Sequence, residues 1–313
     1  MKDLLSAGWR AAPAALCVAA GVGILVRFTV HDRLPVIAGV AYTLRPAAGA
    51  LLLALAGLLW FIRGSGRAAA LSGASAFFAA SIWATGALFL NPPPADPPAN
   101  RLRGMAWNVW HGYGGWDGVA EGIREVDPDI AWIVEGDAGE DAPPDAAEPD
   151  WGAMAGGRSW RASHGLVLMV KGEILDATWV DLTRGSHAMR ARVRTRLGVV
   201  DGAVVDLHGR VFRHRGPAVE RLEALARDFA EGPSILAGDF NTPRDSALWS
   251  GLRADWTHAF EAVGRGFDGT WPMVGPVLPI DHVWGRGVRF TSCDHRRGWA
   301  SDHSAVVVEF GVP

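Results

Sequence analysis

Long uncharged apolar runs in the first ninety residues constrain this chain more than any other sequence feature. Three runs approach the length of a membrane span, at 11–26, 46–62 and 68–90. A helix needs about 20 apolar residues to cross a bilayer, so the sequence predicts a membrane anchor of about three transmembrane helices in residues 1–90. A shorter run at 34–44 either joins the second run as one kinked span or forms a partly re-entrant helix. A signal peptide and a dry-core helical bundle are the alternatives. The two further apolar runs disfavour a signal peptide, and the scarcity of polar residues to face water disfavours the bundle.

Composition changes abruptly after this region. Residues 91–100 contain five prolines, which is typical of a stiff, extended linker. Residues 101–313 have the composition of a globular domain, with 23 Lys and Arg against 30 Asp and Glu. The sequence therefore predicts three parts, which are the anchor at 1–90, the linker at 91–100 and a folded domain at 101–313.

Basic residues near the apolar runs predict the side of the membrane on which the domain lies. With three spans, Lys2, Arg10 and the Arg63–Arg67 loop share one side. Basic residues close to spans favour the cytoplasmic side, so the N-terminus is predicted inside and the domain outside. Arg27 and Arg33 act in the opposite sense, and the predicted bias is small.

In residues 101–313, short apolar runs end in single polar residues. The runs are Met105 to Val109, Ile130 to Glu135, Val199 to His208, Ile235 to Asp239 and Val277 to Val283. Such runs indicate buried strands, and helical spacing is found at 116–126 and 217–231. Adjacent strands with helices between pairs predict an α/β four-layer sandwich of two packed mixed β-sheets with outer helices. The polar strand ends are then expected to meet in one site.

These polar residues follow a fixed order along the domain. They read Asn108, Glu135, His208, Asp239-Phe240-Asn241, Asp281 and Asp302-His303. Carboxylate, amide and imidazole groups together suit metal-assisted hydrolysis of a phosphate ester. The order resembles the endonuclease/exonuclease/phosphatase superfamily, which includes deoxyribonuclease I, abasic-site endonucleases, sphingomyelinases and inositol-phosphate phosphatases. The resemblance covers roughly residues 101–313, with Gly-Asp-Phe-Asn and Ser-Asp-His as its most specific segments.

The resemblance implies a metal site that holds Mg²⁺, with Mn²⁺ as the other possibility. Glu135 and Asp302 are implied as metal ligands. Asn108 is implied as a residue that supports the metal or binds phosphate. Hard divalent cations prefer oxygen ligands and keep several waters, so one or two carboxylates suffice.

The resemblance also implies roles around the scissile phosphate. His303 contacts the phosphate or acts as a general base, and Asp281 fixes the tautomer of its imidazole. Asp239 positions or deprotonates the attacking water. Asn241 holds a phosphate oxygen and therefore counts as both a catalytic and a substrate-binding residue.

Three further residues are interpreted with less support from motifs. His208 is expected to protonate the leaving oxygen or stabilise the pentavalent state, although Asp206 stands where relatives usually carry asparagine. Arg190 is a candidate for neutralising phosphate charge, with a plain surface arginine as the alternative. His282 alternates with Asp281 along a strand, so it is expected to face away from the site and to be structural.

Charge and anchoring predict the class of substrate. The domain has a net charge of −7 and a single lysine, Lys171, which disfavours extended nucleic-acid binding. An arginine stripe at 190, 192, 194 and 196 keeps a nuclease open as an alternative. The anchor favours a lipid bilayer as partner and a lipid-linked phosphate ester as substrate, and no obligate protein partner is inferred. A catalytically idle, membrane-anchored binding module is the alternative of another class.

The combination of membrane spans with this domain resembles bacterial members of the superfamily, including the teicoplanin-resistance group. That resemblance implies a multi-pass protein of the bacterial cytoplasmic membrane with an extracytoplasmic site. It also implies a phosphate linked to a lipid such as an undecaprenyl carrier.

Overall fold

The computed structural model describes the chain in four segments, which are 2–88, 98–139, 148–210 and 213–312. The chain divides into a helical unit, built mainly by the first segment, and a compact domain built by the others. The predicted linker at 91–100 lies outside the described residues except for its last three positions.

The helical unit consists of four helices in the described residues. They are α1 (Lys2–Phe28), α2 (Pro35–Thr43), α3 (Pro46–Ile62) and α4 (Gly66–Leu88). Proline begins both α2 and α3, because the first helical position needs no N–H donor and suits the fixed φ of proline. The Arg63 side chain donates to the carbonyl oxygen of Arg10 over 3.0 Å. Arg10 of α1 and the end of α3 therefore lie together.

One helix of this unit is long and apolar enough to cross a membrane. It is the segment Gly8–Phe28, and a second span exists if Ile37–Thr43 and Pro46–Ile62, bent by 73°, count as one. The third predicted run, 68–90, reaches positions whose side chains lie outside the described residues. Within the described residues, the prediction of about three spans is thus reduced to one helix, or two with the bent pair.

The domain is built from twelve strands and five α-helices in its described residues. The strands are β1 (Leu102–Asn108), β2 (Ile130–Val134), β3 (Ser159–Ser163), β4 (Leu166–Val170), β5 (Glu173–Thr183), β6 (Ser186–Thr195), β7 (Gly198–Asp206), β8 (Ser234–Asp239), β9 (Thr257–His258), β10 (Asp281–Arg286), β11 (Arg289–Arg296) and β12 (Ala305–Gly311). The helices are α5 (Trp116–Val126), α6 (Trp151–Ala155), α7 (Gly216–Arg227), α8 (Leu252–Asp255) and α9 (Ala259–Val263).

The strands form two six-stranded mixed sheets. The first sheet has the order β11-β12-β1-β2-β4-β3, and the second has the order β5-β6-β7-β8-β10-β9. Each sheet contains one parallel pair, β1 with β2 in the first and β7 with β8 in the second. Because parallel strands end at the same edge of a sheet, the polar residues that follow these four strands are brought to one end of each sheet.

Three buried apolar clusters define four layers. The largest cluster lies between the sheets and includes Trp132 of the first sheet and Ile235 of the second. A second cluster packs Leu222 of α7 against the second sheet, and a third packs Ile123 of α5 against the first sheet. The order helix, sheet, sheet, helix confirms the predicted α/β four-layer sandwich.

Sequence patterning missed the two-residue strand β9 and two longer strands, β3 and β5. Most side chains of both strands are exposed or only partly buried, so neither strand carries the apolar run that marks the others. Both lie at sheet edges, where a strand pairs on one side only and exposed polar side chains are usual.

Candidate active site

Asn108 and Glu135 lie where β1 and β2 end side by side. Asn108 is paired with Val134 across the parallel strands, so Glu135 follows directly at the same edge. Asn108 is fully buried, whereas the Glu135 side chain is 28% exposed. Glu135 has φ of 53°, a left-handed conformation that is uncommon for a residue with a side chain. Strain of this kind tends to occur at functional sites.

Three carboxylates lie side by side at one end of the central strands of the second sheet. Asp239 ends β8 and is in register with Asp206, which ends β7, and with Asp281, which begins β10. Burial, and then the charge of Asp239, raise the pKa of Asp206 well above its usual value. Sequence reasoning noted Asp206 only as a departure from the asparagine of relatives, whereas the register places it in this row.

The Gly-Asp-Phe-Asn segment forms a tight turn out of β8. Gly238 has φ of 141°, and a Cβ there would lie 2.1 Å from the carbonyl oxygen of Val205 on the neighbouring strand. Only glycine permits this close approach of the two strands. Phe240 is fully buried in the apolar layer under α7, and this contact anchors the turn. Asp239 and Asn241, on either side of Phe240, are left at the edge of the sheet.

The side chain of Asp239 joins the two sheets. Its Oδ2 accepts hydrogen bonds from Nδ2 of Asn108 and from Nδ2 of Asn241, each over 3.0 Å. Its Oδ1 accepts from the backbone N–H of Asn241 over 2.8 Å. Burial, and then the charge of Asp281, raise the pKa of Asp239 to about 7. A carboxylate with such a pKa can accept a proton near neutral pH.

His303 and Asp281 form a buried pair that also crosses between the sheets. Nδ1 of His303 lies 2.8 Å from Oδ2 of Asp281. Burial lowers the pKa of His303, but the charges of Asp281, Asp239 and Asp302 outweigh it and raise this pKa to about 10. The imidazole is therefore cationic at neutral pH. Its Nε2 lies 3.9 Å from Oδ2 of Asp239 and 3.9 Å from Oδ1 of Asp302.

Hydrogen bonds to β1 hold the Ser-Asp-His segment in place. The hydroxyl of Ser301 donates to the carbonyl oxygen of Asn108 over 2.6 Å and accepts from the backbone N–H of His303 over 2.9 Å. The indole N–H of Trp107 donates to the carbonyl oxygen of His303 over 3.1 Å. These bonds explain why serine precedes the Asp-His pair, because its hydroxyl positions the segment that carries them.

Two buried carboxylate oxygens in this cluster have no hydrogen-bond partner among the described residues. They are Oδ1 of Asp281 and Oδ1 of Asp302. The other oxygen of Asp302 accepts from the indole N–H of Trp271 over 2.8 Å. An unpaired buried carboxylate oxygen is costly. Asp281, Asp239 and Asp302 lie around the imidazolium of His303. Asp206 and Glu135 follow neighbouring strands at the same ends of the two sheets, and this oxygen-rich set of donors fits a hard divalent cation.

Geometry alone singles out one group of possible metal ligands in the described part of the chain. Asp239, Asp281 and His303 each offer one ligand atom, and these atoms lie within 4.8 Å of one another. Asp281 and His303 are already bonded to each other, and a protonated imidazole has no lone pair for a metal. In the protonation state described above, the carboxylates of the cluster are its available ligands.

The structure adds His111 and Asp137 beside Glu135, although no motif singled them out. Nδ1 of His111 lies 3.0 Å from Oδ1 of Asp137, and its Nε2 lies 3.5 Å from Oε2 of Glu135. The hydrogen bond with Asp137 raises the pKa of His111 despite partial burial, and the charge of Glu135 adds to this effect. The position of His111 in the loop after Asn108 was the one sequence signal for it.

His208 lies next to Asn241 on the segment that follows β7. Nδ2 of Asn241 donates to the carbonyl oxygen of Leu207 over 2.7 Å. On the other side of His208, a Cβ at Gly209 would lie 3.2 Å from Oδ1 of Asn241. The backbone N–H of His208 donates to the hydroxyl of Ser186 over 3.1 Å. The amide of Asn241 thus holds Asp239 and the 207–209 segment together.

Arg190 is not brought to this cluster. Its guanidinium donates to the carbonyl oxygen of Asp228 over 2.9 Å and lies over the ring of Phe229, 5.5 Å from the centroid. Both contacts follow the C-terminal end of α7, on the outer side of the second sheet. In this conformation Arg190 stabilises packing of α7 and makes no contact with the carboxylate row.

His282 faces away from the cluster, as the strand alternation predicts. Its Nε2 donates to the carbonyl oxygen of Thr242 over 2.8 Å, and its Nδ1 accepts from Nε2 of His258 over 3.0 Å. Nδ1 of His258 in turn accepts from the backbone N–H of Glu261 over 3.3 Å. This sequence of bonds fixes both tautomers. Burial lowers the pKa of both histidines, to about 4 for His282, so both are neutral.

Solved structures of low sequence identity share this fold. An endonuclease/exonuclease/phosphatase from Beutenbergia cavernae is 18% identical, with TM-score 0.52, and the match covers 68% of this chain and 72% of that one. The corresponding protein from Bacteroides vulgatus is 15% identical, with TM-score 0.55, over 68% of this chain and 100% of that one. D. rerio TDP2, solved with a single-strand DNA product, is 14% identical, with TM-score 0.52, over 68% and 100%. No curated protein matches the chain.

The sequence also matches a family model directly. The model of the Endonuclease/Exonuclease/phosphatase family matches residues 105–303, which is more than half of the chain and contains every polar strand end described above. The chain therefore belongs to the endonuclease/exonuclease/phosphatase family, whose common chemistry is hydrolysis of phosphate esters.

Proposed function

We propose that this protein is a membrane-anchored phosphohydrolase that uses a divalent cation, Mg²⁺ or Mn²⁺, to cleave a phosphate ester by attack of water. The bond cleaved is a phosphodiester, a phosphomonoester or a lipid pyrophosphate. The observation that carries the proposal is the group of three carboxylates around His303, those of Asp239, Asp281 and Asp302. One oxygen of Asp281 and one of Asp302 are buried without a hydrogen-bond partner in the described residues.

Glu135 and Asp302 are the residues that we assign as metal ligands, with Asn108 as their support. Glu135 is partly exposed at the end of β2, and Asp302 has one oxygen committed to Trp271 and one free of hydrogen bonds. A divalent cation bound there supplies Lewis-acid polarisation of the phosphoryl group and screens the charge of the carboxylates. Asn108 uses its amide N–H on Asp239 and its Oδ1 on the backbone N–H of Trp110, so it orients the neighbouring groups.

Asp239 is assigned as the group that receives a proton from the attacking water. Asn108 and Asn241 hold its carboxylate in one orientation, and its raised pKa suits proton transfer near neutral pH. As the oxygen of water bonds to phosphorus, the bond from phosphorus to the ester oxygen breaks. His208, next to Asn241, is assigned as the donor of the proton that the leaving oxygen takes up.

His303 is assigned to the phosphate itself. Because Asp281 occupies Nδ1, the protonated Nε2 is left to donate to a phosphoryl oxygen. A fixed cationic donor stabilises negative charge that grows in the transition state. The same arrangement gives Asp281 the role of a positioning residue, since it acts through the imidazole.

The alternative function is that of a nuclease, which the arginine stripe at 190, 192, 194 and 196 could have supported. In the structure each of these arginines is already engaged. Arg190 bonds to the Asp228 carbonyl, while Arg192, Arg194 and Arg196 pair with Asp201, Glu173 and Asp129. Together with the domain charge of −7, these acidic partners disfavour extended binding of a nucleic-acid backbone. The lipid-linked ester is therefore the substrate class that we favour.

We also propose that this is a multi-pass protein of the bacterial cytoplasmic membrane and that its domain lies on the extracytoplasmic side. The helix Gly8–Phe28 and the bent pair after it support anchoring, and Arg10 and Arg63 at one end of the unit support the orientation. Protease added to intact spheroplasts should release the domain, and protection until lysis would place it inside.

The decisive assay uses the purified full chain in detergent with Mg²⁺. Four substrates distinguish the possible activities. They are bis(p-nitrophenyl) phosphate, p-nitrophenyl phosphate, a long-chain prenyl pyrophosphate and single-stranded DNA. We expect hydrolysis of at least one of the first three, complete loss on addition of EDTA and recovery with Mg²⁺ or Mn²⁺. Glu135→Gln and Asp302→Asn should each lower kcat/KM by about 10² or more, because each removes one strong electrostatic contact.

Metal binding is measured separately, as a Mg²⁺-dependent rise in thermal stability. Glu173→Gln is the matched control, since Glu173 pairs with Arg194 at the end of the second sheet away from Asp206. Activity that survives EDTA, or Glu135→Gln and Asp302→Asn variants that match the control, would overturn the metal assignment. A folded chain that binds Mg²⁺ but hydrolyses nothing would favour the idle binding module.

A further inference from the structure

An uncharged apolar segment projects from the domain beside the carboxylate cluster. Residues 269–280 contain no charged side chain. Within them, the 271–278 hairpin, defined as residues Trp271 to Leu278, exposes Val274 by 85% and Val277 by 56%. Exposure of valine side chains to water is unfavourable because they form no hydrogen bonds with it. Exposed apolar residues grouped in this way mark contact surfaces.

The hairpin is an ordered structure. Trp271 and Leu278 bridge its two arms, with the N–H of each donating to the carbonyl oxygen of the other over 3.0 and 2.9 Å. The N–H of Gly275 donates to the carbonyl oxygen of Pro272 over 3.0 Å and closes the turn. These bonds hold the hairpin together while the side chains of Val274 and Val277 remain exposed.

The base of the hairpin is bonded to residues of the candidate active site. Trp271 donates through its indole N–H to Asp302, and the backbone N–H of Met273 donates to the carbonyl oxygen of Asp302 over 2.6 Å. The hydroxyl of Thr270 accepts from the backbone N–H of Asp281 over 3.2 Å. The tip therefore stands at a fixed position relative to the carboxylates.

Other exposed apolar side chains belong to loops that reach the same cluster. Trp110 is 39% exposed and its backbone N–H is bonded to Asn108, while Tyr113 in the same loop is 46% exposed. Trp299 is 81% exposed and stands two positions before Ser301. Aromatic rings with one polar edge are the side chains that prefer the headgroup level of a bilayer.

We infer that the 271–278 hairpin inserts its tip into the surface of a bilayer and that the substrate is a phosphate-bearing lipid drawn from that bilayer. The substrate class rests on the proposed function. The headgroup phosphate lies among Asp302, Asp239 and His303, and the apolar chain of the lipid remains with Val274 and Val277 in the bilayer.

A lipid surface fits these observations better than a partner protein. The tip residues Val274 to Val277 carry no charged or hydrogen-bonding side chain, whereas protein interfaces surround an apolar core with a polar rim. The same chain carries a helix, Gly8–Phe28, that is long and apolar enough to span a membrane. A domain tethered in this way encounters a bilayer far more often than it encounters any soluble partner.

The first test measures depth and requires no activity. The full chain with Cys17→Ser and Val274→Cys is labelled with bimane and reconstituted in phosphatidylglycerol nanodiscs; Cys293 is buried. We expect quenching by lipids that carry a nitroxide on the acyl chain and protection from aqueous iodide. Leu175→Cys is the control, because Leu175 is also exposed but lies at the far end of the second sheet. A Val274 label as open to iodide as the Leu175 label would overturn the inference.

The second test compares two substrates with the same headgroup. The probes are a long-chain prenyl pyrophosphate in bilayers and water-soluble dimethylallyl pyrophosphate. In Val274→Asp/Val277→Asp we expect at least a tenfold fall in kcat/KM for the lipid and a change within twofold for the soluble ester. Val274→Leu should retain activity on both, since it keeps the apolar tip.

The outcomes separate the inference from the proposed function. Equal losses on both substrates would show that the hairpin only supports Asp302, and no loss on either would show that its tip makes no productive contact. If neither probe is hydrolysed by the unchanged chain, the pyrophosphate reading of the proposed function fails. The depth measurement then still decides whether the hairpin enters the bilayer.

Discussion

The dipeptide Asp-His occurs three times near the end of this chain, and the first and last copies have opposite roles. In Asp281-His282, on β10, the carboxylate faces the cluster and the imidazole packs behind it against His258. In Asp302-His303, which lies in a turn before β12, both side chains face the cluster. Backbone conformation explains the difference, because neighbouring residues of a strand point to opposite faces whereas those of a turn need not.

The two imidazoles differ in charge as a result. His303 lies among three carboxylates, and its pKa is raised to about 10 in spite of burial. His282 is buried against a neutral histidine and a carbonyl group, and its pKa is lowered to about 4. The same dipeptide thus supplies a cationic histidine that can bind phosphate, His303, and a neutral histidine that supports packing, His282. Local sequence does not decide the role of a histidine; its neighbours in space do.

The sharpest test of this comparison replaces each imidazole by glutamine. His303→Gln should lower kcat by about 10³, within the range typical of a lost general acid–base or donor group. His282→Gln should leave kcat within a few-fold of the unchanged chain, because its amide can still donate to the Thr242 carbonyl. Both are measured at saturating Mg²⁺ on the best substrate of the assay above. Comparable losses in the two variants would remove the distinction between them.

Asp281→Asn probes how the first copy supports the last, through the contact between Asp281 and His303. We expect a fall in kcat of about 10², because the amide no longer stabilises the charge or fixes the tautomer of His303. The double variant Asp281→Asn/His303→Gln should be little worse than His303→Gln alone, since the two residues act as a unit. Losses that multiply in the double variant would mean that Asp281 acts independently of His303.

Acid sensitivity gives the smallest expected effect. His282 has a folded-state pKa of about 4 and an unfolded value of about 6.5. Its neutral form therefore stabilises the fold above pH 6.5, and this contribution is lost as the pH falls toward 4. From pH 7 to pH 5 the loss is about 2 kcal/mol.

The measurement is the free energy of unfolding from denaturant titrations in detergent, followed by tryptophan fluorescence. Wild type and His282→Gln are compared at each pH, because His303, with its raised pKa, contributes in the opposite sense in both. The variant should lose about 2 kcal/mol less than wild type between pH 7 and pH 5. Parallel pH profiles would mean that His282 is not held neutral in the fold.

The sequence was sufficient to predict the sandwich fold because buried strands carry continuous apolar runs and end in polar residues. It was not sufficient where strand register or loop conformation determines which residues lie near one another. Asp206 looked like a departure from the family pattern until its pairing with Asp239 placed it in the carboxylate row. His111 could not be linked to Glu135, since the loop after β1 has a left-handed backbone that no local pattern announces. Arg190 failed to reach the cluster because its partner is the end of α7.

The position of β12 has a consequence for how the protein is made. This last strand lies between β11 and β1 in the interior of the first sheet, and the bond from Asn108 to Asp239 joins residues 131 positions apart. The first sheet stays open until Ala305–Gly311 have been synthesised, and the cluster lacks Asp302 and His303 until shortly before that point. If the proposed function holds, a growing chain therefore has no complete hydrolytic site before Asp302 and His303 have been added and have reached Asp281 and Asp239.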